Sequence, residues 1–164
     1  ESALKALNIP PCINRKFAAE KWDCIDASVW RNERQRAISL VNKSAEFKAF
    51  GFDIDEESVR LSIDNSAKAG VKSRIRIEQA DICDFQPMNA ITVCNPPYGE
   101  RMLEIREAEQ LYKIMGEVFK PDSENPCYVI SPHEDFERFF GKKADKKRKL
   151  YNGMIKCNLY MYFK

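Results

Sequence analysis

Apolar and polar residues alternate along this chain with two periods, one typical of helices and one typical of strands. Four segments carry apolar residues three or four positions apart and are predicted to be helices: residues 26–43, 55–70, 106–119 and 133–140. Short apolar runs predict strands at residues 47–54, 74–79, 90–94 and 128–131. From residue 155 to residue 163 the odd positions are apolar, which predicts a strand with those side chains buried on one face.

Strands that alternate with helices and end in an antiparallel strand are typical of an α/β, doubly wound, Rossmann-like sheet. The residues Tyr151-Asn152-Gly153 before the last strand predict a tight turn. The inward side of the first long helix is predicted to carry Val29, Ala37, Leu40 and Val41. In the helix over 106–119 the predicted buried residues are Leu111, Ile114, Met115 and Val118.

Composition is that of one ordinary globular domain. The chain has 164 residues, of which 44% are hydrophobic and 32% charged, and its net charge of +2 favours no particular class of partner. Its six cysteines form no CxxC pair, which favours core thiols in a reducing, cytoplasmic compartment over disulfides or zinc. With His133 as the only histidine, we expect no histidine-based metal site, and no apolar run suggests a membrane partner.

The most informative residues are Asn95, Pro96, Pro97 and Tyr98, here called the NPPY motif. Two prolines end the predicted strand over 90–94, and the residue before a proline is held extended. Asn95 should therefore project beyond the carboxyl edge of the sheet, where ligands bind in open α/β folds. An amide, two carbonyls and an aromatic ring suit a flat molecule that bears an amine. A plain Pro-Pro turn with a packed tyrosine is the alternative.

Two acidic residues follow neighbouring predicted strands. Asp53 is placed to accept hydrogen bonds from both hydroxyls of a ribose, although it could instead cap the next helix. Asp55 fits that cap better, because two glutamates then occupy the first helical turn. Asp81 is placed to accept from the exocyclic amine of an adenine, with Ile82 over the ring, or simply to form a turn. We expect Asp53, Asp81 and Asn95 to line one crevice.

A basic run lies before the last pair of predicted strands and supplies six cations in eight residues: Lys142, Lys143, Lys146, Lys147, Arg148 and Lys149. It is either a solvated loop or a loop that contacts phosphates of a nucleic acid. Glu100 and Arg101, beside the NPPY motif, either form a surface pair or orient the motif.

The sequences GFDID, QADICDF and NPPYGER resemble the class I S-adenosylmethionine-dependent methyltransferases that modify exocyclic amines of bases. The segments SPHEDF and YNGMI narrow this resemblance to the THUMP-linked guanine-N2 methyltransferases of large-subunit (23S) ribosomal RNA. It implies that Asp53 and Ile54 hold the ribose side of S-adenosylmethionine, and that Asp81 and Ile82 hold its adenine. It also implies that the NPPY motif binds the target guanine of the RNA.

The same resemblance leaves two rival functions open. NPPY is shared with adenine-N6 methyltransferases of DNA or RNA, so it indicates the reaction better than the base. A non-catalytic RNA-binding module is the rival of another class, because the chain lacks the glycine-rich turn that follows the first strand in such enzymes.

We therefore interpret the chain as a catalytic domain without its first strand, its glycine-rich loop and the THUMP domain. In that case the chain alone should bind S-adenosylmethionine weakly and be inactive. Its open sheet position should favour self-association.

Overall fold

The structure is a computed structural model that describes residues 1–99 and 102–164, with no side-chain detail for residues 102 and 103. The chain divides into two compact units, Glu1–Gln79 and Ala80–Lys164. Each has its own sheet and its own buried residues. Within the described residues, no helix has both the length and the apolar character that crossing a membrane requires.

The first unit has a two-stranded parallel sheet. Its elements are α1 (Ser2–Ala6), α2 (Ala27–Ser39), β1 (Ala49–Asp53), α3 (Glu56–Lys68) and β2 (Ile75–Gln79). Ala49 pairs with Ile75 and Asp53 with Gln79, so β1 and β2 end at the same edge. The predicted cap of α3 is confirmed, because the Asp55 carboxylate accepts a hydrogen bond from the Ser58 amide at 2.8 Å.

The predicted inward side of α2 is wrong for this unit. Asp26 caps the helix, yet none of the helix residues is buried. Val29 is 50% exposed and Leu40, just beyond the helix, is 52% exposed. An apolar stripe indicates that a helix has a side to cover, but not which element covers it.

The second unit has a four-stranded sheet in the order β3-β4-β6-β5. Its elements are β3 (Thr92–Cys94), α4 (Met102–Phe119), β4 (Cys127–Ser131), α5 (Phe136–Phe140), β5 (Lys146–Asn152) and β6 (Ile155–Tyr162). β3 runs parallel to β4, whereas β6 runs antiparallel to both β4 and β5. The predicted antiparallel last strand is therefore confirmed.

Of the face that β6 is predicted to bury, only Cys157 is fully buried. Tyr160 and Tyr162 are almost completely buried, while Leu159 and Met161 are only half-buried. The tyrosines pack on α5. The ring centroids of Tyr160 and Phe136 are 4.5 Å apart, and those of Tyr162 and Phe140 are 4.7 Å apart. A tyrosine can fill a core once its hydroxyl is bonded, here to the carbonyls of His133 and Lys142.

Helix α4 buries Met115 as predicted, and Leu111 and Val118 pack against the core, but the centre of its buried stripe is shifted. Its buried residues are Ala108, Tyr112, Met115 and Phe119, whereas Leu111, Ile114 and Val118 are half-buried. Gly116 faces α5 closely: a Cβ there would lie 1.9 Å from the carbonyl oxygen of Phe140. The helices meet at this glycine, which brings Tyr112 under the end of β4.

The basic run is largely a strand and not a loop. Residues 146–149 are the first half of β5, which pairs only with β6 and so forms one edge of the sheet. Asn152 and Ile155 close the hairpin, and the two-residue turn between them begins with Gly153 at φ 60°. A glycine with positive φ at this position is typical of a tight hairpin turn, so the turn prediction is confirmed.

Candidate active site

The NPPY motif begins where β3 ends, as predicted. Cys94 pairs with Val129 of β4, and the ladder stops there. Pro96 is buried, Pro97 is exposed and the Asn95 side chain is exposed. Because neither proline can donate to a strand, the backbone leaves the sheet at Asn95 and presents that side chain at the edge.

The Tyr98 hydroxyl donates one hydrogen bond and accepts another. It donates to Asn95 Oδ1 at 2.8 Å and accepts from Asn152 Nδ2 at 3.1 Å. The second bond spans 54 residues of sequence and ties the motif to the β5–β6 hairpin. Burial raises the pKa of Tyr98, while the bond from Asn152 lowers it. The phenol therefore stays protonated at neutral pH.

The Pro97 carbonyl is held by buried groups. The Tyr112 hydroxyl donates to it across a long bond of 3.3 Å, and Ser131 Oγ donates in turn to the Tyr112 hydroxyl at 3.3 Å. Tyr112 and Ser131 are both fully buried. The His133 amide donates to Ser131 Oγ at 3.1 Å, so the end of β4 supports the motif. Burial raises the pKa of Tyr112, which keeps this donor protonated.

His133 lies closer to this support than the sequence suggested. Its ring meets that of Tyr112 edge to face, with centroids 5.8 Å apart. Its Nε2 lies 3.4 Å from a carboxylate oxygen of Glu109. The sequence alone assigns His133 no role at the motif. In the structure the His133 ring packs against Tyr112, whose hydroxyl donates to the Pro97 carbonyl.

Asp53 and Ile54 lie in the first unit, at the carboxyl end of β1. Asp53 is exposed, and its Oδ1 accepts from the Asp55 amide at 3.0 Å. Ile54 is 66% exposed, and its carbonyl accepts from Gln79 Nε2 at 3.0 Å. A carboxylate has two oxygens that each accept more than one bond, so the turn bond uses only part of what Asp53 offers.

Asp81 and Ile82 lie in the second unit, after β2. Asp81 is exposed and begins the 3₁₀ turn Ile82–Asp84, where its Oδ1 accepts from the Cys83 amide at 2.8 Å. That bond lowers the pKa of Asp81, which is therefore ionised at neutral pH. Ile82 is half-buried against the core of the second unit. The turn interpretation is thus correct for Asp81, and the ligand interpretation remains compatible with it.

Asp53 and Ile54 thus belong to one unit, and the other predicted site residues to the second. The crevice shared by Asp53, Asp81 and Asn95 stays a prediction. What the structure brings together is the NPPY motif with Tyr112, Ser131 and Asn152. Glu100 and Arg101, the other residues predicted to act beside the motif, lie outside the described residues.

The six basic residues divide by what they contact. Lys142 Nζ donates to the Pro121 carbonyl at 2.6 Å, and Lys147 Nζ donates to Glu137 Oε2 at 2.7 Å. These two cations thus have local structural partners. The other four are exposed: Lys143, Lys146, Arg148 and Lys149.

Sequence analysis missed Tyr112, Ser131 and Asn152 as site residues. The sequence already indicated the locations of two of them, since Ser131 ends a predicted strand and Asn152 lies in a predicted turn. No sequence pattern indicates that Tyr112 and Asn152 bond to a motif 15 and 54 residues away, or that Ser131 bonds to Tyr112. Such contacts depend on how the strands pair.

The sequence of residues 1–161 matches the UPF0020 family, described as an RMKL-like methyltransferase domain. The protein of Bacillus subtilis (strain 168) named "Putative RNA methyltransferase YpsC" is 38% identical over 165 residues, which cover 99% of this chain and 43% of that protein. The ribosomal RNA large subunit methyltransferase K/L of Shewanella sp. (strain W3-18-1) is 35% identical, with 99% of this chain and 24% of that protein covered. The chain thus spans less than half the length of these relatives.

The fold has a solved counterpart in SMU.472, whose crystal structure is a complex with S-adenosylhomocysteine (SAH). The two superimpose with a TM-score of 0.93 at 35% identity, over 99% of this chain and 44% of that one. This agreement confirms the predicted class I methyltransferase fold. The family match covers nearly the whole chain and agrees with the resemblance seen in its motifs. The chain belongs to the RMKL-like methyltransferase domain family.

Proposed function

We propose that the protein transfers a methyl group from S-adenosylmethionine to the exocyclic N2 amine of a guanine in RNA, with large-subunit ribosomal RNA as the substrate. The observation that carries the proposal is the NPPY motif, with an exposed Asn95 at the carboxyl end of β3 and its backbone held by buried groups. The names of YpsC and of the K/L protein support an RNA substrate.

The chemistry of the motif suits an aromatic amine. The lone pair of such an amine is delocalised into its ring, which makes the nitrogen a poor nucleophile. Hydrogen bonds from the amine to Asn95 Oδ1 and to the Pro96 carbonyl would favour a pyramidal nitrogen with a localised lone pair. These acceptors act without a proton transfer, so the main work of the site is orientation.

The residues predicted to bind the cofactor fit it chemically. When bound, S-adenosylmethionine supplies an electrophilic methyl group on a sulfonium sulfur. Asp53 offers an exposed carboxylate for the ribose hydroxyls, with Ile54 beside it. Asp81 offers an ionised carboxylate for the adenine amine, and Ile82 offers an apolar surface for the ring. SMU.472 in its complex with SAH is a precedent for binding by the same fold.

Tyr98 completes the base site. An enzyme reaches a base amine by drawing the base out of its stack, and an aromatic ring can replace the lost stacking. The two hydrogen bonds of the Tyr98 hydroxyl, to Asn95 and from Asn152, orient its ring. After transfer the nitrogen releases one proton to water, which requires no general base from the chain.

Strand β5 is the surface that we assign to the RNA backbone. Its exposed cations Lys146, Arg148 and Lys149 lie on a sheet edge, and Lys143 precedes them. The strand ends at Asn152, which bonds the motif. At about 3.3 Å per residue, Arg148 lies roughly 13 Å along the strand from Asn152. Phosphates near the target nucleotide are therefore within reach of these side chains.

The test is Asn95→Ala in the full-length protein, assayed for methyl transfer to ribosomal RNA transcripts. We expect kcat to fall about a hundredfold or more, because an acceptor for the amine is lost, while RNA affinity is retained. Gln110→Ala is the matched control, since it also removes an exposed side-chain amide from the second unit. Unchanged methyl transfer in Asn95→Ala would contradict the proposal. If the wild-type protein bound RNA without methylating it, that result would favour the non-catalytic rival.

A further inference from the structure

Two hydrogen bonds in series connect the β5–β6 hairpin to Asn95. Asn152 Nδ2 donates to the Tyr98 hydroxyl at 3.1 Å, and that hydroxyl donates to Asn95 Oδ1 at 2.8 Å. The backbone of Asn152 is fixed by its pairing with Ile155 across the turn. Its side chain is exposed, so it fills no space in the core.

The sense of this chain of bonds matters because an amide has two unlike ends. Its oxygen only accepts hydrogen bonds, and its NH₂ only donates them. A flip of the Asn95 amide would therefore put a donor where the target amine needs an acceptor. A tyrosine hydroxyl can bond either end, since it both donates and accepts. Tyr98 alone leaves both amide orientations open.

Asn152 removes that ambiguity. In the structure its amide is oriented with Nδ2 toward Tyr98, so the Tyr98 oxygen accepts and the single hydroxyl proton points to Asn95 Oδ1. We infer that Asn152 is a positioning residue that sets the direction of this hydrogen-bond chain and so keeps Asn95 Oδ1 presented to the target amine. The inference rests on the proposed function and adds to it a positioning role for Asn152, which the sequence indicates only as part of a turn and of the YNGMI segment.

The variants Asn152→Ala and Asn152→Asp separate direction from mere contact. Alanine removes the donor and leaves both amide orientations open, so kcat should fall about threefold to tenfold. The carboxylate of Asn152→Asp only accepts hydrogen bonds, so the Tyr98 hydroxyl should donate to it. The Tyr98 oxygen is then left to accept from Asn95, which favours the flipped Asn95 amide. We expect kcat to fall about a hundredfold, although aspartate is nearly isosteric with asparagine. The dissociation constant for S-adenosylmethionine should not change in either variant.

Met154→Asp controls for the added negative charge. Met154 is 99% exposed in the same turn, so this variant places one carboxylate on the hairpin without touching Tyr98. We expect it to keep wild-type kcat. The inference is overturned if Met154→Asp loses as much activity as Asn152→Asp, or if Asn152→Asp is no worse than Asn152→Ala.

The same pair of changes in a Tyr98→Phe background tests the route. Without the hydroxyl, the chain from Asn152 to Asn95 is broken, so the alanine and aspartate variants should have equal kcat within about twofold. A large difference that persisted in this background would mean that Asn152 acts by some other path, and the inference would be wrong.

A titration separates failure of the inference from failure of the proposed function. Burial and the Cys157 thiol raise the Tyr98 pKa, and both are kept in the variants, whereas the bond from Asn152 lowers it; Asn152→Ala should therefore raise that pKa and Asn152→Asp should raise it further. NMR of protein labelled with ¹³Cζ-tyrosine measures this without any substrate, with Met154→Asp again as the control. If the wild-type protein methylates no RNA, the proposed function fails, and the titration still decides whether Asn152 donates to Tyr98. A Tyr98 pKa unmoved by both changes would overturn the inference.

Discussion

The first unit holds the Asp53 carboxylate by a local bond, whereas the second unit holds its motif by contacts between distant parts of the chain. Asp53 bonds the amide two residues later, at the end of a two-stranded sheet. The NPPY motif is bonded by Tyr112, 15 residues from Pro97, and by Asn152, 54 residues from Tyr98. A carboxylate that accepts from a mobile ligand can be placed by a turn. Presenting one end of an amide to a base requires support from several strands.

The largest expected effect is on the packing that supports the motif. Gly116→Ala places a Cβ 1.9 Å from the Phe140 carbonyl oxygen, so α4 and α5 must separate. We expect the second unit to lose about 3 kcal/mol of stability, because the clash is with backbone and no flexible side chain can yield. Hydrogen exchange of β4 amides in the full-length protein measures the loss.

Gly51→Ala is the matched change in the first unit. The added Cβ would meet Ile77 at 3.6 Å, an ordinary contact, so the stability of β1 should change by less than about 1 kcal/mol. If the β4 amides exchanged faster to the same extent in both variants, Gly116 would not be a special point of contact between α4 and α5.

Substitutions of Asp53 and Asp55, the two acids at and just after the end of β1, should have smaller effects that differ from each other. Asp53→Asn keeps an oxygen for the Asp55 amide but loses the charge that would bind ribose hydroxyls. We expect S-adenosylmethionine to bind about tenfold to a hundredfold more weakly, as measured by calorimetry. Thermal stability should stay close to that of the wild type.

Asp55→Ala should give the reverse pattern. Its carboxylate caps α3 through the Ser58 amide, so the change lowers the melting temperature while cofactor affinity stays within about twofold of wild type. If Asp55→Ala weakens cofactor binding as much as Asp53→Asn does, the assignment of Asp53 to the ribose is incorrect.

The sequence predicts the features of this molecule that depend on neighbouring residues. Asp55 as a cap, the hairpin turn at Gly153 and the end of β3 at the prolines each follow from a few adjacent residues, and the structure confirms them. These rules work because capping, turns and proline geometry are local. The short motifs also indicated the family to which the chain belongs.

The predictions that failed concern which side of an element is covered. In β6 both faces carry large residues, and only the packing on α5 selects the tyrosines over Leu159 and Met161. Of the stripe predicted for α2, Val29 and Leu40 are exposed, and Ala37 and Val41 are only half-buried. The roles of Tyr112 and Asn152 escaped prediction for the same reason, because strand pairing and helix packing place those side chains. Periodicity alone contains no information about that placement.

The central claim is that the NPPY motif of the second unit presents a guanine amine for methylation. The most direct test supplies the full-length protein with ribosomal RNA transcript and S-adenosylmethionine carrying an isotope-labelled methyl group, then digests the RNA and identifies the labelled nucleoside by mass spectrometry. We expect label on the N2 of guanosine in the wild type and its loss in Asn95→Ala. Label on the N6 of adenosine, or label on guanosine that persists in Asn95→Ala, would contradict it.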